Sequence, residues 1–154
     1  MGNPAEYINS DKYPIHLPDS NGCEKLANQC KSSLQKDGFS ILKGFVNESI
    51  LERMAKEADQ SIHLSHFCRD NHNVFFEEDD VSLPADHPLR IREDTSLNSI
   101  PYDRMSTQDA LYQLYNWDPL MNFLSIVLEH NLYRMADPMA ALTINCMGVD
   151  QNHG

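Results

Sequence analysis

Helical apolar spacing recurs within 21–38, 47–62 and 106–128, on either side of a long segment, 63–105, that has none. A chain with this layout has to assemble its core from the helical stripes, because the middle offers no continuous apolar face. In the first stretch Cys23, Leu26, Ala27, Cys30 and Leu34 share one face, with Ser20 or Asn21 as the N-cap and Gly38 as the stop. A second helix is expected to start at Asn47 and bury Ile50, Leu51, Met54, Ala55, Ala58 and Ile62. Downstream, Ser106-Thr107-Gln108-Asp109 is a capping signature ahead of Leu111, Tyr112, Leu114 and Tyr115. Asp118-Pro119 restarts a helix whose buried face is Leu120, Phe123, Leu124, Val127 and Leu128.

Strand signals are shorter. Phe39-Ser40-Ile41-Leu42-Lys43-Gly44-Phe45 predicts a strand, as do 132–134 and 140–147, the last two separated by a turn at Asp137-Pro138. In the final strand Leu142, Ile144 and Cys146 alternate with Thr143, Asn145 and Met147, giving one apolar and one polar face. The polar face suits either solvent or the lining of a ligand cavity. Residues 1–20, with Pro4, Pro14 and Pro18, read as an irregular arm. Segment 63–105 holds His63, His66, His72 and His87, the run Glu77-Glu78-Asp79-Asp80, and Pro84, Pro88 and Pro101. Long irregular segments of this kind serve as lids or functional loops. The fold class expected is α+β, helices packed on the first strands of a sheet.

Charge narrows the partners. With 23 acidic against 12 basic side chains the net charge is −11, which repels phosphate backbones and anionic lipid, so neither nucleic acid nor a membrane is expected. No apolar run reaches the ~18 residues of a spanning helix, and the N-terminus lacks the order of a signal peptide. Cys23, Cys30, Cys68 and Cys146 form no CxxC pair, and reduced thiols in a cytoplasmic protein are the simplest reading. Phosphate loops, G-x-S-x-G turns and EF-hand spacing are absent from the sequence.

Four segments together resemble the N-terminal half of iron(II)/2-oxoglutarate-dependent oxygenases of the free-amino-acid halogenase and hydroxylase type. They are Asp37-Gly38-Phe39 through Phe45, His87-Pro88-Leu89-Arg90-Ile91-Arg92, Leu114-Tyr115-Asn116-Trp117-Asp118-Pro119-Leu120, and Leu132-Tyr133-Arg134-Met135-Ala136-Asp137-Pro138-Met139 followed by Thr143-Ile144-Asn145 and Asp150. The resemblance covers about residues 34–154 and implies a double-stranded β-helix, or jelly roll, incomplete in this chain. It implies Fe(II) and 2-oxoglutarate as cofactors of a longer parent protein. The first iron ligand is then expected directly after Gly154, in a His-x-Asp or His-x-Gly motif. The turn-like ending 149–154 reads as a chain cut short of it. Catalytic and metal-holding residues are therefore not expected here, and this chain alone is expected to be inactive. The substrate implied is a small polar or amino-acid-like molecule, hydroxylated or halogenated.

Residues that could touch substrate or cosubstrate are His153, which in the related halogenases precedes the iron ligand, and Asn145 on the polar strand face. Arg90 and Arg92 could offer planar donor forks to a carboxylate, or pair with Asp86, Glu93 or Asp94. Two alternatives stand beside the oxygenase. One is a non-enzymatic helical interaction domain. The other is a zinc module using His63, His66, Cys68 and His72, whose donor atoms suit tetrahedral zinc although their spacing does not follow paired zinc motifs.

Overall fold

A computed structural model describes residues 2–146. The order of elements is α1 (Asn21–Asp37), α2 (Glu48–Ser61), β1 (His66–His72), β2 (Glu93–Pro101), α3 (Ala110–Tyr115), α4 (Asp118–Leu128) and β3 (Thr143–Cys146). The chain is α+β, as expected. No helix among the described residues is long and apolar enough to cross a membrane.

The helical layer follows the apolar spacing in α1 but only partly in α4. In α4 Phe123 and Val127 are buried and Leu120 is half-buried, while Leu124 and Leu128, expected inside, are exposed because the core meets only a narrow stripe of the helix. In α1 the Ser20 hydroxyl accepts from the Cys23 amide, and Gly38 ends the helix at φ 77°, a left-handed conformation that costs glycine little. Cys23, Leu26, Ala27 and Cys30 are buried, and Phe123 and Val127 of α4 meet them in the same core, joined by Ala110 and Leu114 of α3. The capping signature before α3 forms: the Ser106 amide donates to Asp109 Oδ2, and Gln108 donates to the Ser106 hydroxyl. Helix α4 starts one residue earlier than expected, with Trp117 at the cap and Pro119 in the first turn, where its missing N–H costs nothing.

Residues 2–20 carry only a short 3-10 turn, Pro4–Glu6, yet they are more than an arm. Tyr7, Ile8, Tyr13 and Ile15 are at most 5% exposed and belong to the same core. The segment is held by hydrogen bonds rather than by secondary structure. Asn47 donates from Nδ2 to the Glu6 and Ile8 carbonyls, Tyr13 donates to the Lys43 carbonyl, and Tyr7 donates to Gln113 Oε1.

Three further sequence expectations need correction. The run 39–45 forms no strand: a turn at 42–45, with Gly44 at φ 68°, breaks it, and only Val46 makes an isolated bridge, to Ile8. Phe39 and Ile41 stay exposed. The stripe of α2 is only half covered, with Ile50, Met54, Ala58 and Ile62 half-buried and Leu51 and Ala55 exposed. Residues 132–134 are not a strand either; Arg134 instead reaches the Tyr115 carbonyl and the Asp118 carboxylate.

The largest correction concerns 63–105. Its two ends pair as an antiparallel ribbon, from His66 opposite Ser99 to His72 opposite Glu93, and only 73–92 remains irregular. Strand β3 adds to the other side of β2, Asn145 facing Ser99 and Ile144 facing Ile100, so the three strands run in the order β1-β2-β3. Ile100 is fully buried, while the opposite face of the sheet is largely exposed.

Candidate functional site

Strand alternation sorts the sheet into two faces. Asn98, Ile100, Ile144 and Cys146 lie on the covered face. Burial raises the Cys146 thiol pKa, and the Asp59 carboxylate of α2 raises it further. The other face carries His66, Cys68, Asp70 and His72 on β1, Thr95, Leu97 and Ser99 on β2, and Thr143 and Asn145 on β3.

Across this open face runs a polar row, His66–Ser99–Asn145, one residue from each strand. Ser99 donates its hydroxyl proton to Asn145 Oδ1 at 2.8 Å. That bond occupies the acceptor end of the amide and turns its donor Nδ2 away from Ser99. Beside the row lies a cleft of about 430 Å³, bounded by His63, His66, Pro101, Asp103, Arg104 and Met139. Three connections meet there: the turn entering β1, the turn leaving β2, and the turn at 137–140. The Asp103 amide donates to the Pro138 carbonyl at 2.9 Å, which ties the second of these to the third. Asp137 organises the third by accepting from Met139 and Ala140 at 2.7 and 2.8 Å. These bonds, from Ala140 first and Met139 second, hold the Asp137 carboxyl below its ordinary pKa. Two imidazoles and a guanidinium give the cleft donors for an oxyanion, and Asp103 gives it an acceptor.

Of the residues singled out in the sequence, Asn145 lies in this row, and its strand face is exposed. Arg90 and Arg92 do not join it. Both belong to the 73–92 loop and its junction with β2, six ladder positions from the row, a distance of ~20 Å at ~3.4 Å per residue. Arg90 pairs with Asp79 at 3.2 Å and donates to the Leu83 carbonyl, whereas Asp86, Glu93 and Asp94 were the partners expected. Arg92 donates to the Asn71 side chain and carbonyl and to the Glu77 carbonyl. Their donors serve the loop. Of the segment 63–105 expected as a lid or irregular loop, the part between the two strands, 73–92, joins the ribbon at its His72–Glu93 end. His153 lies outside the described residues.

The zinc set does not converge. His66, Cys68 and His72 are spread along one strand, and His63 sits in the turn before it. His72 is stacked on Phe76 with ring centroids 4.1 Å apart, its Nδ1 beside the Asn73 carbonyl and its Nε2 beside the Thr95 hydroxyl. No group of three or more His, Cys, Asp or Glu among the described residues is arranged to hold a metal ion, so these residues fit neither zinc nor an iron triad.

Ser99, Asp103 and Arg104 were missed from sequence. Each gains its place only through the register of β2 against its neighbours, which no local spacing encodes. Comparisons with protein-family models, curated proteins and solved structures found no match for this chain.

Proposed function

We propose that this chain is the N-terminal part of an iron(II)/2-oxoglutarate-dependent oxygenase acting on a small polar, amino-acid-like substrate. The observation that carries the reading is the polar row His66–Ser99–Asn145 on an open sheet face whose reverse side buries Asn98 and Ile100 of the central strand. In a jelly roll a polar sheet face of this kind would line the pocket. The four sequence segments that resemble the family add to it. No cluster of three metal-ligating side chains forms among the described residues, and in this reading the ligand set comes from chain following Gly154, with hydroxylation and halogenation both within its scope.

What these residues contribute is positioning. Asn145, with Ser99 occupying its oxygen, presents an amide donor. His63, His66 and Arg104 offer further donors at the neighbouring cleft, and Asp103 accepts. Fixed donors on a rigid sheet orient a carboxylate without reorganising during the reaction.

The reading frame itself is the test. Beyond codon 154 it is expected to encode His-x-Asp or His-x-Gly and a distal His, and the longer protein is expected to take up stoichiometric iron while this chain alone does not. A stop codon directly after Gly154, or a longer protein that binds no iron, contradicts the proposal.

A further inference from the structure

The loop 73–92, at the end of the ribbon remote from the polar row, is well fixed from within. Asn73 is 1% exposed; its Nδ2 donates to the Glu77 and Leu89 carbonyls, and its Oδ1 accepts from the Phe75 and Glu77 amides. Arg90 and Arg92 clamp the same segment. Yet this ordered loop turns Val74, Phe75, Phe76 and Val81 outward, at 74%, 56%, 75% and 77% exposure. Clustered apolar side chains on a fixed scaffold mark an interaction surface more often than chance exposure does.

Next to them is a small cavity of about 150 Å³ walled by Val74, Pro88 and Ile91, with Glu93, Thr95 and His72 at its polar side. An apolar wall ending in a carboxylate matches a lysine or arginine side chain, whose aliphatic stem is buried while its charged head stays at the rim. Glu77 and Glu78 flank the apolar residues and form no ion pair among the described residues; Arg90 pairs with Asp79 and also acts on Asp80. A second copy of a chain with net charge −11 meets like charge here, and so do nucleic acid and anionic lipid.

We propose that this loop is a docking surface for a basic, apolar-bearing segment of a partner protein. One lysine or arginine of that segment fills the Val74–Pro88–Ile91 cavity against Glu93, and its apolar residues cover Phe75 and Phe76. The proposal is independent of the oxygenase reading.

The probe is a short synthetic peptide alternating lysine and leucine, titrated into the isotopically labelled 154-residue chain. Amide shifts are expected to concentrate at 74–81, 91 and 93. Replacing Glu93→Gln together with Phe76→Ser weakens binding about tenfold, whereas Glu24→Gln on the exposed side of α1 leaves it unchanged, although it removes the same single charge. A lysine–serine peptide of equal charge binds more weakly than the lysine–leucine one. Shifts spread over the whole surface, equal weakening by Glu24→Gln, or no binding at all overturn the proposal. So does concentration-dependent self-association through the loop. The shift map on the unaltered chain decides the matter even where a variant fails to fold.

Discussion

The helical layer and the β1–β2 ribbon are held together by different physics. In the first, Cys23, Leu26, Ala27 and Cys30 pack on Phe123 and Val127, with Tyr7, Ile8 and Ile15 from the N-terminal segment closing the core. In the second, all positions of β1 except the half-buried His72 are exposed, and the ribbon is sustained by its ladder and by side chains such as Asn73 and Arg92 that bond to backbone. Burial secures one region, and directional hydrogen bonds secure the other. The candidate site sits at the seam, where β2 turns Ile100 into the interior and Ser99 outward.

The sharpest way to break this contrast is Phe123→Ala. Loss of a buried aromatic costs ~3–5 kcal/mol, enough to unfold a domain of ordinary stability, as urea denaturation will show. Phe67→Ala in the ribbon, where the ring is 40% exposed, should cost well under half as much.

Asn73→Ala reverses the comparison. It leaves part-buried backbone groups of Phe75, Glu77 and Leu89 without their side-chain partner, at ~1–3 kcal/mol in all. The loss should be local: faster amide exchange and proteolysis within 73–92, with α1 and α4 unchanged. Equal loosening of the helices contradicts the division into two regions.

Ser20→Ala removes the cap of α1 and should lower stability by ~1 kcal/mol, read as a shift in the urea midpoint without a change in slope. Thiol labelling sharpens the same boundary. Cys68, on the open face, should react first, Cys146 later because burial raises its thiol pKa, and Cys23 and Cys30 only on unfolding.

The smallest effect concerns acid. The Asp137 carboxyl titrates below its ordinary value in the folded chain because the Ala140 and Met139 amides donate to it. A depressed carboxyl stabilises fully above the unfolded-state value, and that contribution is lost as pH falls through the folded one. Asp137→Ala should therefore lose less stability on acidification than the unaltered chain, measured by urea midpoints across the carboxylate range.

These regions also differ in how far the sequence discloses them. Cys23 to Leu34 and Leu120 to Leu128 repeat at helical spacing because one face of each helix packs on the core, so the bounds of α1 and α4 are readable, although Leu124 and Leu128 fall outside the buried stripe. His66-Phe67-Cys68-Arg69-Asp70-Asn71-His72 shows no alternation because neither face of β1 is well covered, and a strand without a buried face carries no period. Phe39 to Phe45 fails in the opposite direction: it has strand composition, but the Gly44 turn intervenes and no ladder partner lies beside it among the described residues. Asn145 was identifiable as a polar position on an alternating strand, whereas its pairing with Ser99, and the approach of Asp103 and Arg104 to His63, depend on strand register and on turns brought together from distant parts of the chain.

The oxygenase reading faces its most direct trial in turnover. The protein encoded by the uninterrupted reading frame, given iron(II), oxygen, 2-oxoglutarate and a panel of free amino acids, should release succinate with at least one of them. Asn145→Ala should lower that rate at least tenfold with the fold intact. If the longer protein forms no succinate with any candidate, or if Asn145→Ala turns over at the full rate, the sheet face described here is not the wall of an oxygenase pocket.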